Sequence, residues 1–134
     1  MRSFTLLEIL VVIIIIGVLA TLGISQYIPS REQAMSREAQ ANLKLITAAE
    51  KIYRMENGTF YPASGLQNNV NTININLKLS LAATNWAYEI TGGTGTFTAT
   101  ADRNGGGGYL DCQWSINQVQ AGPVVASGAG TCMR

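Results

Sequence analysis

Residues 9–28 read ILVVIIIIGVLATLGISQYI, and no charged side chain interrupts them. As a helix, such a stretch of about 20 residues spans about 30 Å, the thickness of a bilayer's hydrocarbon core. The run Leu10 to Ile16 is apolar at every position, so it leaves no face for water and does not describe a one-sided core helix. A monomer in water has nowhere to put that surface. It belongs in lipid or inside an assembly. The whole chain has 134 residues, the length of one domain, and a formal net charge of +1. That balance creates no global field to recruit nucleic acid or an anionic membrane. Histidine is absent, which removes the commonest general base and a common metal ligand.

The residue that sharpens the reading is Glu8, at the head of the apolar run. A cleavable export signal has a basic start, an apolar stretch of about 7–15 residues and a small-residue cleavage site. Arg2 and the small residues after Ala20 fit that loosely, but an acid at Glu8 does not. A plain single-pass anchor is a second reading. It leaves Glu8 unexplained, since an acid at the centre of a membrane helix costs about 2.5–3.5 kcal/mol, less near an end. The third reading supplies the missing partner: a positive group on a neighbouring chain.

Phe4-Thr5-Leu6-Leu7-Glu8, the aliphatic run after it, Gly17, Leu19-Ala20 and Gln26-Tyr27 resemble the start of mature type IV pilins and type II secretion pseudopilins. The resemblance extends over about residues 4–61. It implies that a prepilin peptidase cuts between Ser3 and Phe4 and that the new Phe4 amine is methylated. It also implies that Glu8 pairs with the terminal amine of a neighbouring subunit during assembly. Two departures stand out. The family usually has Gly before the cut, where this chain has Ser3, the last residue of a three-residue leader with one basic side chain. If residues 1–3 are retained, Arg2 offers Glu8 another partner. Family members also often have proline where this chain has Ser25, and here Pro29 follows Tyr27 instead. Proline inside a helix removes a backbone bond and kinks it. A kink, or a locally melted stretch between Gly17 and Pro29, is therefore expected slightly later than in the family.

Past Pro29 the pattern becomes one-faced. Met35, Ala39, Leu43, Ile46, Ala49 and Tyr53 recur in steps of three or four, an apolar helical stripe. Arg37, Gln40, Lys44, Thr47, Lys51 and Arg54 trace the other face, a solvated or intersubunit surface before it is a nucleic-acid site. Glu50 and Arg54 have the i,i+4 spacing of a weak helical ion pair. Asn57-Gly58 is a stop signal. The tyrosine near this helix end and the Gly58-Thr59-Phe60 turn again resemble the pilin family.

Residues 63–85 read as a connecting loop. Within it Ile73, Ile75, Leu77, Leu79 and Leu81 alternate with polar residues, which predicts an extended segment, with a short helix near Leu77 to Leu81 as the alternative. Three strands follow. Trp86, Tyr88 and Ile90 alternate in the first and Phe97, Ala99 and Ala101 in the second. Leu110, Cys112, Trp114 and Ile116 alternate in the third. Turns are expected at Gly92 to Gly95 and at Asn104 to Gly108, which makes the strands antiparallel neighbours. The expected architecture is α+β: a long N-terminal helix whose C-terminal half packs on a small antiparallel sheet, the pilin fold by resemblance. Its parts are a leader remnant at 1–3, an apolar transmembrane and assembly helix at 4–28, an amphipathic half at 29–57 and a distal region at 58–134.

Cys112 and Cys132 would close a loop of about 20 residues. A disulfide there stabilises by about 3 kcal/mol in the chain-entropy model and implies an oxidising compartment; two free core thiols are the alternative. The resemblance makes residues 112–132 the exposed, variable C-terminal loop of a filament subunit.

Without histidine the chain offers no nucleophile–base pair, so it reads as no enzyme. Two cysteines cannot build a zinc site, and Gly105 to Gly108 lacks the Lys-Ser/Thr and helix of a phosphate loop. Asp102 and Asp111 are the remaining candidates for a calcium or acid–base pair. Many secretion pseudopilins bind calcium through C-terminal acids, whereas this tail has no acid after Asp111 and carries a cysteine pair. Asn57-Gly58-Thr59 matches a glycosylation sequon by composition alone. No cofactor and no metal is expected.

By resemblance the expected function is a structural subunit of an extracellular type IV pilus. The alternatives are a periplasmic pseudopilin and a monomeric membrane-tethered binding domain. The implied partners are identical or homologous subunits, the inner membrane before assembly, prepilin peptidase and the assembly platform. No specific nucleic acid is expected.

Overall fold

The computed structural model describes residues 5–104, 111–126 and 132, with the backbone but not the side chains of residues 22–26. Helix α1 runs from Leu6–Asn57, 52 residues and so about 78 Å long. Thr5 caps it, its hydroxyl accepting the Glu8 backbone N–H at 3.3 Å. Gly58 ends it with φ 79°, a left-handed conformation that suits glycine, and donates its N–H to the Arg54 carbonyl at 2.8 Å. The Asn57-Gly58 stop therefore falls where the residue pattern puts it. The helix is unbroken across Gly17 and Pro29.

Five strands follow α1: β1 (Gly65–Gln67), β2 (Trp86–Gly93), β3 (Thr96–Arg103), β4 (Gln113–Asn117) and β5 (Val124–Val125). They pair in sequence order, each antiparallel to the next. The alternation places Trp86, Tyr88, Ile90, Phe97, Ala99, Ala101, Trp114 and Ile116 on the buried face, as the period of two requires. Opposite them α1 contributes Ala39, Leu43, Ile46 and Ala49, with Met35 and Tyr53 at the margins. Ala99 and Ala101 are fully buried small residues on β3, over which α1 crosses. Small side chains there let the helix approach the sheet closely.

Three expectations change. Residues 73–77 are helical, because Val70–Leu77 forms a second helix, α2, which ends where the alternative helix at Leu77 to Leu81 is expected to begin. Its signal is Asn69, whose side chain accepts the N–H groups of Asn71 and Thr72, followed by Ile73 and Leu77 one turn apart and both buried. Ile75, which strand alternation would bury, is 77% exposed. The third strand begins at Gln113 rather than Leu110, with Asp111 in a turn. Gly92 and Gly93 belong to β2, paired with Phe97 and Thr96, which leaves only Thr94-Gly95 as the turn. The edge strands β1 and β5 are too short to show a period.

Gly92 is a packing requirement. A Cβ on it would lie 1.7 Å from the Pro62 carbonyl oxygen, a backbone atom that cannot swing aside. Gly92→Ala is expected to destabilise at the upper end of the about 1–3 kcal/mol range for overpacking. Gly93→Ala, which meets only the Thr96 hydroxyl at 3.1 Å, should cost less. Paired denaturant titrations would check both, and equal midpoints for the two variants would refute the packing argument.

Candidate functional site

The uncovered end of α1 dominates the molecule. Leu6, Leu7, Ile9 to Ile16, Val18, Leu19, Tyr27 and Ile28 are all exposed, from 44% at Val11 to 84% at Leu6. Covering one such Leu or Ile completely is worth about 1.5–3 kcal/mol, so the surface as a whole carries a large association energy. Gly17 has open space around its Cβ position; its lack of a side chain answers no contact within this chain. The Thr21 hydroxyl turns inward and donates to the Val18 carbonyl at 2.7 Å. Among the described residues no helix is long and apolar enough to cross a membrane. The expected span at 4–28 is interrupted in the description by residues 22–26, whose side chains lie outside it.

Glu8 stands in the first turn of α1, exposed, beside the capping hydroxyl of Thr5. No described residue forms an ion pair with it. Thr5-x-x-Glu8 is half of a capping box, a second reason for an acid at this position. An acid here also suits the positive end of the helix dipole. Ser3 and Phe4, the expected processing pair, lie outside the described residues.

At the base of the exposed segment a second site appears. Arg103 and Glu32 form a buried, two-pronged ion pair, with Nε to Oε2 and Nη2 to Oε1 both at 3.1 Å. Arg103 Nη1 also donates to the carbonyls of Asn85 and Asn104, and its guanidinium lies over Trp86 at 5.8 Å. Trp86 in turn donates its indole N–H to the Met35 carbonyl at 3.0 Å. This cluster fastens α1 to β2 and β3 just past Pro29. It was legible in part: Arg103 continues the inward series Phe97, Ala99, Ala101 by one more step of two.

The other end of the helix is fastened by Glu50. The spacing-based pair with Arg54 does not form among the described residues; Arg54 lies over the Phe60 ring at 4.8 Å instead. Glu50 is fully buried, accepts the Tyr61 backbone N–H at 2.8 Å through Oε2, and leaves Oε1 without a partner. Burial pushes its carboxyl up from the ordinary 4.5 to about 7, with the Tyr61 hydrogen bond opposing part of the rise. The folded state therefore holds this proton more tightly than the unfolded chain. Its contribution is fully present below about pH 4.5 and is lost as pH rises to about 7, a change of about 3 kcal/mol. Glu50→Gln should flatten that slope, and melting curves between pH 5 and 8 would show it. An unchanged slope in the variant would move the effect to another group.

Cys112 and Cys132 are joined in a disulfide, which closes the loop 112–132. Residues 127–131 of that loop lie outside the described residues, as do Leu110 and the expected turn at Gly105 to Gly108. Asp102 accepts a hydrogen bond from the Gln113 amide, while Asp111 is exposed in its turn. No cluster of three or more metal-ligating side chains occurs among the described residues.

A long N-terminal helix followed by a small antiparallel five-stranded sheet is an α+β arrangement consistent with the pilin fold. The chain is 39% identical over 62 residues to the type II secretion system core protein G of Pseudomonas aeruginosa, which covers 46% of this chain and 43% of that protein. It is 40% identical over 68 residues to the protein of the same name from Klebsiella pneumoniae, 49% of this chain and 48% of that one. It is 38% identical over 55 residues to the type IV major pilin protein PilA of Myxococcus xanthus, 41% of this chain and 25% of that one. The matches thus span about half or less of the length of these curated relatives. No family model and no solved structure matches the chain.

Proposed function

We propose that this chain is a structural subunit of a type IV pilin-like filament and polymerises through the exposed N-terminal half of α1. The observation that carries the reading is the exposed apolar surface from Leu6 to Leu19, with Tyr27 and Ile28 beyond it, which stays uncovered among the described residues. In this reading residues 4–28 hold the precursor in the inner membrane and then move into a bundle of neighbouring helices. Gly17, with no neighbour of its own within reach, is a point of close approach between helices, and Gly17 to Pro29 is where the helix yields on packing. Prepilin peptidase cuts between Ser3 and Phe4, Phe4 is methylated, and Glu8 sets the register.

Within that class an extracellular pilus is the preferred form. The tail after Asp111 carries the Cys112–Cys132 bond and no carboxylate side chain, which resembles the C-terminal loop of a pilin. A periplasmic pseudopilin is the second reading, favoured by similarity to several type II secretion core proteins G. Electron microscopy of sheared surface filaments, with mass spectrometry of the N-terminal peptide, tests both. Filaments built of this chain with a methylated Phe4 terminus are expected. A chain that stays in the envelope, is cleaved and never appears in sheared material would favour the second reading. An uncleaved monomer would overturn both.

A further inference from the structure

Among the described residues, two buried side-chain atoms lack a hydrogen-bond partner: Glu50 Oε1, at the helix anchor described above, and the indole nitrogen of Trp114. Trp114 is 4% exposed, and an indole can only donate. The other tryptophan, Trp86, donates to the Met35 carbonyl at 3.0 Å. A buried donor left unmade costs more than an ordinary hydrogen bond gains. Trp114 therefore calls for an acceptor that the chain itself does not provide.

Trp114 lines a cavity of about 400 Å³ together with Gln40 of α1 and Pro123, Val124 and Val125. That volume falls within the about 300–1,000 Å³ of small-ligand sites. Its walls are set by the fold. Val125 faces Trp114 across the β4–β5 ladder, and the Ala126 N–H donates to the Gln113 carbonyl at 2.9 Å. Gln40 makes no hydrogen bond among the described residues, so its amide offers the cavity both a donor and an acceptor.

This lining restricts the occupant. Among the described residues no ionisable side chain borders the cavity, so a carboxylate, phosphate or ammonium would be buried without a counter-charge. A polyhydroxylated ligand would strand its hydroxyls against Pro123, Val124 and Val125. A hydrocarbon would leave the Trp114 N–H as it is.

We infer that the Gln40–Trp114 cavity binds a small neutral carboxamide with a branched aliphatic body. The ligand carbonyl accepts from the Trp114 indole, its amide N–H donates to the Gln40 side-chain carbonyl, and its aliphatic part covers the two valines. The site lies in the distal domain and does not depend on filament assembly.

The test is proton–nitrogen correlation NMR of the full isotope-labelled chain in neutral detergent, titrated with isovaleramide. The chain has two tryptophans and hence two indole N–H signals, and Trp114→Phe identifies one by removing it. The Trp114 signal is expected to move downfield and saturate, with a dissociation constant of about 1 mM for so small a ligand. The Trp86 signal, already bonded to Met35, should stay in place. Isovalerate, the same body carrying a carboxylate, should bind at least tenfold more weakly. Gln40→Leu should weaken isovaleramide about fivefold, whereas Arg37→Gln, on α1 but outside the lining, should bind as the parent does. A Trp114 signal unmoved at tenfold the expected constant would overturn the inference, as would equal shifts of both indoles. Equal affinity for isovalerate, parent affinity in Gln40→Leu, or a Trp114 N–H still in contact with a bound water at saturation would also overturn it.

Discussion

Glu8→Ala is expected to give a folded, membrane-associated monomer that does not build filaments. This expectation rests on the proposed assembly. Glu8 lies in the first turn of α1 and the core begins near Met35, so nothing in the sheet registers the change. The local cost is loss of a favourable acid at the helix N-terminus, about 0.3–1 kcal/mol. The assembled state loses much more. When one member of a buried ion pair is removed, the other remains as an uncompensated charge, at about 3–5 kcal/mol. Here the stranded group is the terminal amine of a neighbour. Every subunit carries that penalty, so the concentration needed for growth rises about a hundredfold to several thousandfold. The effect belongs in sheared-filament yield, with the monomer's melting temperature as control. Normal filament yield from Glu8→Ala, in cells without the parent chain, would remove Glu8 from the mechanism.

Arg103→Ala is expected to lower the stability of the domain by about 3–5 kcal/mol, the largest loss from a single polar side chain here. The pair with Glu32 is almost free of solvent, with side-chain exposures of 5% and 10%. Truncation would leave Glu32 buried without its cation, would remove one of the two donors to the Asn85 carbonyl, which keeps the Asn104 N–H, and would take the guanidinium off Trp86. For a domain of about 100 residues this lowers the melting temperature by about 15–30 °C. Arg103→Lys should recover only part, since an ammonium cannot grip both carboxylate oxygens in one plane. Replacing both partners, Glu32→Leu with Arg103→Met, should recover most of the loss, because an apolar pair leaves no orphaned charge. Tryptophan fluorescence on heating reads all four chains. If the double variant melts as low as Arg103→Ala, the cost is one of shape and not of charge.

Much of this fold was legible because its period signals are strong. The stripe Ala39, Leu43, Ile46, Ala49 and the alternation in β2 and β3 each bury the expected face, and Gly58 stops the helix for a backbone reason that holds in any context. The segment 73–81 misled because five aliphatic residues at every second position also contain the pair Ile73 and Leu77 at helical spacing. Only the Asn69 cap decides between the two. Thr47 reads as part of the polar face and Glu50 as the i,i+4 partner of Arg54, yet both are buried. Thr47 satisfies its hydroxyl on the Leu43 carbonyl one helical turn back, while Glu50 is kept there by the Tyr61 N–H, a partner invisible without the turn geometry. Glu32 and Arg103 stand 71 residues apart, and no local pattern couples them. Glu8, by contrast, was conspicuous because an acid beside an apolar run is expensive.

The two fastenings of α1, Glu32 to Arg103 at one end and Glu50 to Tyr61 at the other, sit about 27 Å apart along the helix axis. A pull along that axis cannot peel the sheet away contact by contact. It loads both anchors and the apolar face between them at once, in shear, so they must yield together. The folded domain is thus suited to hang from its helix under tension, which is the mechanical demand that any rope of such subunits makes on each of its parts.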